Sequence, residues 1–375
     1  MAPRHPVLDV LVIGAGQAGL ALGRELQRTG RRFLIVDRHA RVGESWSRRF
    51  DSLTLFTPRA YSALPGMPVP GDPDGYPTKD EIAGYLEAYA TRFALPIALE
   101  TGIERLERRD GRFYATTTAG DELVAGAVVL ATGAFQQPVV PAIARRFASE
   151  VAQLTPESYR NPRQTPAGTV LVVGDGASGR QIARELSAGR AVILATGRSR
   201  RVSPHRILGK SVFWWMDRLG ILRAPRTSKV GRILMAKDPF PGKELAPKRL
   251  RSAGITVVGR LTAVDGRRAT FAGGESAEID AVVWATGYRD RADWVAIPEA
   301  KDAQGAFVQD RGRSPVPGLV FVGRSWQWTR GSALLTGVGE DARYVAAHLL
   351  VPATAPAGSE ESAGPAELAT LPQPS

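Results

Sequence analysis

Residues 7–19 read VLDVLVIGAGQAG and decide how the first part of the chain folds. They begin with an apolar, β-branched run, the pattern of a strand buried in a parallel sheet, and end in a G-x-G-x-x-G motif. A helical pattern follows over 17–29, and the apolar run 33–36 (FLIV) then ends at Asp37. This order of strand, glycine turn, helix and strand is typical of a unit that binds a dinucleotide.

The same unit recurs about 160 residues later, where residues 169–179 read TVLVVGDGASG. A helical pattern over 180–188 and an apolar run over 191–194 follow it. Each unit is also followed by a buried-looking strand that ends in Ala-Thr-Gly, at 127–133 and at 281–287. The repeat predicts an α/β fold with two Rossmann-like dinucleotide-binding domains.

The residue after the second strand of each unit indicates which dinucleotide it binds. Asp37 in the first unit would accept hydrogen bonds from ribose hydroxyls and repel a 2′-phosphate, which suits FAD or NAD. In the second unit the strand runs into Arg198, Arg200 and Arg201, and no carboxylate stands there. Guanidinium groups bind phosphate, so this unit is predicted to prefer NADPH, although the arginines could also be ordinary surface charge.

Composition narrows the chemistry further. The chain has no cysteine and only four histidines, which excludes thiolate sites and makes a histidine-rich metal site improbable. The net charge of +12 comes from dispersed arginines and indicates a basic surface rather than a nucleic-acid groove. No apolar run reaches the ~20 residues of a membrane span, and the N-terminal run is read as a strand and not as a signal peptide. We therefore expect a cytoplasmic protein with no metal, nucleic-acid or membrane partner.

Two nucleotide sites in one chain imply electron transfer between a flavin and NADPH. The flavin disulfide reductases use such a pair of domains but relay electrons to a cysteine pair, which this chain lacks. The sequence resembles the flavin-containing monooxygenases (class B flavoprotein monooxygenases), in a bacterial branch that is similar to the plant YUCCA-type enzymes. The matching segments cover about nine-tenths of the chain in order and include VLVIGAGQAGLALGRELQRTG, VGESWSRRFDSLTLFTPRAYSALPGMPVPG, VVLATGAFQQP, VLVVGDGASGRQIARELS, LGKSVFWWMDRLG, VVWATGY and PGLVFVGRSWQWTRGSALLTGVGEDARYVAAHL.

The resemblance implies a set of cofactor contacts. FAD is expected on the first unit and on the C-terminal segment, with NADPH on the second unit, so the NADPH domain is expected to be inserted into the FAD domain. The residues expected to bind the two cofactors are Gly14, Gly16, Gln17, Ala18, Gly19, Asp37, Arg38, Ser45, Trp46, Ile103, Thr132, Gly133, Gly174, Gly176, Ala177, Ser178, Gly179, Arg198, Arg201, Thr286, Gly287 and Gly323. The expected domains are 1–160 and 276–350 for FAD and 166–275 for NADPH, and 351–375 is expected to be a disordered tail.

The resemblance also implies the reaction: NADPH reduces FAD, and a flavin hydroperoxide then oxygenates a small organic substrate at nitrogen, sulfur or a carbonyl carbon. Catalytic residues are not identified by the sequence, and the candidates are Trp46, Phe56 and Arg330. Trp46 could instead be a core aromatic, and Arg330 could form a surface salt bridge. The tryptophans at 214, 215, 326 and 328 could line the substrate site or simply pack in the core.

Two departures from the family pattern leave a rival open. Phe56 stands where many members have an asparagine, and Thr155 stands where the signature has a histidine. Both changes favour the alternative of an NADPH oxidase or flavin reductase that releases hydrogen peroxide. A more remote alternative is a basic scaffold without enzyme activity. The expected partners are a small-molecule substrate and O2, and the sequence leaves the oligomeric state open, with a homodimer as one candidate.

Overall fold

The computed structural model describes residues 7–197 and 202–350. The predicted tail at 351–375, together with Arg198 and Arg201, lies outside the described residues. The helices are α1 Gln17–Gln27, α2 Glu44–Ser47, α3 Lys79–Arg92, α4 Ala177–Leu186, α5 Val212–Arg218, α6 Lys229–Lys237, α7 Pro247–Ser252 and α8 Leu335–Leu350. Among these residues, no helix combines the length and the apolar character needed to span a bilayer.

The strands are β1 Leu8–Ile13, β2 Phe33–Val36, β3 Ile97–Ala98, β4 Ile103–Arg109, β5 Arg112–Thr117, β6 Glu122–Leu130, β7 Gln137–Pro138, β8 Ala152–Leu154, β9 Thr169–Val173, β10 Ala191–Ala195, β11 Val202–Ser203, β12 Arg206–Ile207, β13 Lys210–Ser211, β14 Phe240–Pro241, β15 Thr256–Val258, β16 Leu261–Asp265, β17 Arg268–Phe271, β18 Ser276–Glu278, β19 Ala281–Trp284, β20 Tyr288–Arg289 and β21 Leu319–Phe321. The four strands and the helices of the two predicted units form close to the expected bounds.

The first sheet has the order β3-β2-β1-β6-β5-β4, and β21 adds to it by pairing with β6. β1, β2, β3, β6 and β21 run parallel, whereas β4 and β5 pair antiparallel at one side. The chain leaves this sheet after β6 and returns to it only at β21, so the second sheet is inserted into the first unit, as predicted. Val10 and Val12 pack on the face covered by α1, α3 and α8, while Leu11 and Ile13 pack on the opposite face. Both faces are therefore buried, which explains the continuous apolar run.

The second sheet is fully parallel and has the order β15-β10-β9-β19-β8. β8 and β19 lie in this sheet, although their residues fall in the ranges 1–160 and 276–350 that were expected to belong to the FAD domain. Strand pairing thus extends the second unit beyond 166–275 at both ends. The reason is that each Ala-Thr-Gly strand joins the glycine-motif strand before it: β6 pairs with β1, and β19 pairs with β9.

Candidate cofactor sites and the adjoining cleft

The first glycine turn is shaped by close approaches of backbone. Gly14 has φ +114°, and a Cβ there would lie 2.5 Å from the carbonyl oxygen of Ala131. A Cβ on Gly19 would come far closer than 3.0 Å to the carbonyl oxygen of Gly14. Gly16 differs, because a Cβ on it would meet nothing within 4 Å. The first turn of α1 has no side-chain cap and no acidic residue, so no side chain caps the N–H groups at this end of the helix. This combination fits the pyrophosphate of a dinucleotide.

The second glycine turn repeats this construction. Gly174 has φ +106°, and its Cβ would clash with the carbonyl oxygen of Ala285, while a Cβ on Gly179 would clash with the carbonyl oxygen of Gly174. Gly176 is the N-cap of α4, and Ala177 and Ser178 form the first turn, which again lacks a side-chain cap. The predicted NADPH residues of this turn are therefore brought together at an uncapped helix N-terminus.

Each Ala-Thr-Gly segment packs against one of the two glycine turns. Thr132 and Gly133 follow β6, where Gln136 donates its amide to the Thr132 hydroxyl and to the Gly133 carbonyl, each at 2.9 Å. Thr286 and Gly287 follow β19, and the Thr286 hydroxyl donates to the carbonyl of Val139. All four predicted residues thus lie at the carboxyl ends of parallel strands, where ligands bind in α/β sheets.

Asp37 follows β2 and is held in place by three hydrogen bonds. One of its carboxylate oxygens accepts from the backbone N–H of Ala15 at 2.7 Å, and the other accepts from the backbone N–H of His39 at 2.9 Å and lies 2.7 Å from the His39 ring Nδ1. Burial works against ionisation of this carboxyl, but the hydrogen bonds from His39 and Ala15 outweigh it and keep the pKa of Asp37 below its ordinary value. Asp37 is therefore anionic with spare acceptor capacity, which fits a ribose diol.

A pocket of about 370 Å³ lies next to Asp37 and is lined by Arg38, His39, Ala40, Glu44, Arg48 and Glu100. Arg38 was predicted to bind the cofactor, whereas His39 was missed because nothing in the sequence motif marks it. Ser45 lies exposed on α2, and Ile103 is half-buried at the start of β4, but neither lines this pocket. The pocket suits the adenosine end of a dinucleotide held on the first unit.

Trp46 is tied to the first glycine turn rather than to the core alone. Its indole N–H donates to the Gln17 side-chain oxygen at 2.9 Å, and the Gln17 amide donates to the carbonyl of Ala333 at 3.1 Å. Gly323, after β21, approaches Ala18 so closely that a Cβ would lie 2.6 Å from the Ala18 side chain. The predicted FAD residues of the first turn, of α2 and of the C-terminal segment therefore meet at one place.

A cleft of about 530 Å³ begins at the N-terminus of α4. The proline-rich segment before α3 forms one of its sides, and Gln181 fixes that segment by donating to the carbonyl of Thr54 at 3.0 Å. Phe56 stacks on Phe213 of α5, with ring centroids 6.4 Å apart, and offers no hydrogen-bond donor to the cleft. The lining residues are Thr54, Leu55, Phe56, Tyr76, Ala177, Gln181, Pro204, His205, Arg206, Phe240, Pro241, Lys243, Glu244 and Leu245.

Polar side chains that the sequence did not single out stand on the wall of this cleft. The His205 ring Nε2 lies 3.0 Å from the Glu244 carboxylate, and the Tyr76 ring meets the His205 ring edge-on at 4.9 Å. Burial raises the pKa of Tyr76, so its hydroxyl stays protonated. These three residues are far apart in sequence, which is why no local pattern could predict their meeting.

Other predicted residues lie outside the cleft. Arg330 donates to the Asp238 carboxylate at 3.1 Å and to the carbonyl of Pro239, so its guanidinium is engaged within the chain. Thr155 lies in an exposed turn, where its backbone accepts from Tyr159, and it does not line the cleft. Trp214 and Trp215, on α5, do not line it either.

A buried ion pair supports the second glycine turn and was also missed. Arg180 is 2% exposed, and it donates to the Asp175 carboxylate at 3.0 Å, to the Asp175 carbonyl at 2.9 Å and to the Leu245 carbonyl at 2.7 Å. A buried guanidinium is tolerated only with such partners. The pair therefore fixes the turn against the chain segment that borders the cleft.

Comparison with known proteins agrees with this geometry. An uncharacterised CzcO-like oxidoreductase of Geobacillus kaustophilus is 46% identical over 341 residues, which span 90% of this chain and 97% of that protein. The indole-3-pyruvate monooxygenase YUCCA8 of Oryza sativa is 28% identical over a gapped alignment of 393 positions, which covers 92% of this chain and 91% of that protein. The solved structure of a flavin-containing monooxygenase from Stenotrophomonas maltophilia has a TM-score of 0.78 and 27% identity, covering 92% of this chain and 98% of that one.

These similarities confirm the predicted fold class, the predicted resemblance to flavin monooxygenases and the prediction of an enzyme. They also support FAD and NADPH as the cofactors. The family model of the pyridine nucleotide-disulphide oxidoreductases matches residues 11–210. The word disulphide in that name cannot apply to electron relay inside this chain, because the chain has no cysteine. With one complete glycine turn on each of two sheets and this match over more than half its length, the chain belongs to the pyridine nucleotide-disulphide oxidoreductase family.

Proposed function

We propose that the protein is an FAD-dependent, NADPH-consuming monooxygenase that oxygenates a small organic substrate with O2. The observation that carries the proposal is the presence of two uncapped glycine turns in one chain, with a cleft that opens at the second of them. The cleft of about 530 Å³ starts at Ala177 of the second turn and extends to Phe56. Relatives along nearly the whole chain, at 27–28% identity, are flavin-containing and indole-3-pyruvate monooxygenases, which favours the same reaction type here.

The chain's own residues would bind and orient the two cofactors. The N–H groups of α1 beside Gly16 would bind the FAD pyrophosphate, and Asp37 would accept from the ribose. The turn at α4 would hold the NADPH pyrophosphate, with Arg198 and Arg201 on its 2′-phosphate. When bound, the flavin supplies the redox chemistry, taking a hydride from NADPH and passing electrons to O2.

Two features would exclude water from the reacting centre. The stacked rings of Phe56 and Phe213 form an apolar wall, and the chain of hydrogen bonds from Trp46 through Gln17 to Ala333 holds the C-terminal segment against the first turn. An active site that excludes water slows the side reaction in which reduced oxygen is lost as hydrogen peroxide. Electrons cannot end on a cysteine pair of this chain, which leaves O2, a substrate or a partner protein as the acceptor.

The finer expectations from the sequence are part of this proposal. They are an FAD domain made of two stretches around an inserted NADPH domain, a homodimer, and a cytoplasmic location. Size measurement of the purified protein at several concentrations would test the dimer, and cell fractionation would test the location.

The rival function, an NADPH oxidase that releases hydrogen peroxide, is favoured by Phe56. Its ring stacks on Phe213 and can donate no hydrogen bond to a bound oxygen species or to NADP. Both functions require the same cofactors, so cofactor binding does not separate them.

The deciding experiment is a measurement of coupling. NADPH consumption, O2 consumption, peroxide release and product are followed together, with indole-3-pyruvate, amines, sulfides and ketones offered in turn. A monooxygenase makes product with one of them and releases less peroxide than NADPH consumed. Equal amounts of peroxide and NADPH with every substrate would overturn the proposal in favour of the oxidase.

A further inference from the structure

Residues 206–237, which we call the basic apolar segment, hold an unusual share of the exposed apolar side chains. Nine large hydrophobic residues are exposed among the described residues, and six of them are in this segment: Ile207, Leu208, Leu219, Val230, Ile233 and Met235. Single exposed apolar residues are ordinary, but such a concentration in one segment marks an interaction surface.

The tip of the β12–β13 hairpin is the most exposed of these sites. Leu208 is 87% exposed and has φ +48°, and Gly209 beside it has φ +74°. Two successive residues with positive φ define the hairpin turn in which Asn-Gly is the preferred pair, and leucine is disfavoured at the first of these two positions. The fold therefore keeps an apolar side chain in water, in a backbone conformation that suits a polar residue better. Such an outlier indicates that the leucine side chain serves in contact with another molecule.

Aromatic and cationic side chains support the hairpin from behind. The indole N–H of Trp215 donates to the carbonyl of Ile207 at 2.9 Å. Lys210 and Arg218 both lie over the ring of Trp214, at 5.9 and 5.5 Å from its centre. An apolar tip with tryptophans and cations behind it is the arrangement that proteins use at the boundary between lipid tails and headgroups.

Helix α6 presents a second surface of the same character. Only Gly231 of its nine residues is buried, while Val230, Ile233 and Met235 are exposed. Lys229 and Arg232 share this helix, and the helix carries no acidic residue.

The charge of the segment selects the partner. It contains eight Lys and Arg residues and one carboxylate, Asp217, so it carries a large part of the net charge of +12. Five of the cations form no ion pair with any other described residue: Lys210, Arg218, Lys229, Arg232 and Lys237. A second copy of the chain would bring the same positive charge to the interface and be repelled, whereas an anionic surface would be attracted.

We propose that the basic apolar segment binds the surface of a membrane that contains anionic lipids, with Leu208 inserted between the headgroups. The binding is adsorption to one leaflet, and the described helices do not span it. Pro204, His205 and Arg206 line the cleft and lead directly into the hairpin, so adsorption would bring the wall of the cleft to the lipid surface. The proposal does not depend on which reaction the enzyme catalyses.

Sedimentation of the full-length holoenzyme with lipid vesicles tests the proposal. Vesicles of phosphatidylcholine are compared with vesicles in which phosphatidylglycerol makes up about a third of the lipid, at low and at high salt. We expect binding to the anionic vesicles that falls steeply with salt, since each Lys or Arg near such a surface contributes about a fivefold factor. The double variant Lys229→Gln, Arg232→Gln should therefore bind more weakly.

The variant Leu208→Asn separates membrane binding from folding. Asparagine suits the positive φ of the turn, so the melting temperature should stay the same or rise. Vesicle binding should nevertheless fall by about tenfold, because the transfer of the leucine side chain to an apolar phase is lost. The matched control is Val308→Asn, which removes another exposed apolar residue, 40% exposed, outside the segment and should leave binding unchanged.

Three results would overturn the proposal. One is the absence of binding to anionic vesicles at low salt, and another is an equal effect of the Leu208 and Val308 variants. The third is a different partner: a dimer that Leu208→Asn dissociates, or duplex DNA or RNA bound in preference to the vesicles.

Discussion

Two glycines three positions apart on the first turn should respond in opposite ways to the same substitution. At Gly16 the backbone is extended, with φ −76°, and a Cβ would meet nothing within 4 Å. Alanine at an N-cap costs up to about 1 kcal/mol in helix stability, and it recovers about as much by restricting the unfolded chain. The free energy of unfolding of apo Gly16→Ala should therefore stay within about 1 kcal/mol of wild type.

The same variant should lose FAD. The methyl group would occupy the space that the pyrophosphate needs to reach the N–H groups of α1, and each charge-assisted hydrogen bond lost there costs about 1.5–3 kcal/mol. We expect FAD affinity to fall by about a hundredfold or more, which is about 2.7 kcal/mol.

Gly19→Ala is the matched comparison. Its Cβ would lie far inside 3.0 Å of the backbone oxygen of Gly14, so α1 would have to move away from the sheet. The cost should exceed the upper range of overpacked cores, about 3 kcal/mol, and lower the apo melting temperature by about 6–12 °C. Circular dichroism of flavin-free protein measures the melting, and quenching of flavin fluorescence measures FAD binding. If Gly16→Ala binds FAD as tightly as wild type, the pyrophosphate does not pass Gly16 and the reasoning fails.

Three further predictions concern charged groups. Asp37→Asn should weaken FAD binding by about tenfold at neutral pH, since it removes an anionic ribose acceptor. The control is Asp9→Asn, near the start of β1 and away from the glycine turn, which should leave FAD affinity unchanged. Because the pKa of Asp37 is lowered, wild-type affinity should hold as the pH falls to about 4. The double variant Arg198→Ala, Arg201→Ala should raise the KM for NADPH much more than the KM for NADH, and equal effects on the two would refute the assigned phosphate site. Burial raises the pKa of Asp341 to about 6, so the folded state binds this proton more tightly than the unfolded state does. The free energy of unfolding should therefore fall as the pH rises from about 4 to about 6. Denaturant titrations should show this slope in wild type, and a slope that persists in Asp341→Asn would contradict the assignment.

Local patterns predicted the parts of the fold that are local in sequence. The apolar run of β1, the glycines after it and Asp37 lie within about 30 residues, and short-range sterics suffice to define such a unit. The sequence does not assign β19 to a sheet, because spacing along the chain does not define which strand it pairs with. Only the pairing with β9 across more than a hundred residues settles it.

The cleft shows the same limit more strongly. Phe56 was singled out by its position in a motif, but its stacking on Phe213 depends on two irregular segments meeting in space. The His205–Glu244 pair likewise joins residues whose sequence neighbourhoods carry no chemical pattern. Side-chain meetings of this kind are set by tertiary packing, which periodicity and spacing do not encode.

Anaerobic titration of the purified protein with NADPH tests the central claim most directly. The account predicts a yellow protein with one FAD per chain whose flavin absorbance is bleached completely by one equivalent of NADPH. The absorbance should return when O2 is admitted. A protein that takes up no flavin from excess FAD, or whose bound flavin is not reduced by NADPH, would contradict the account.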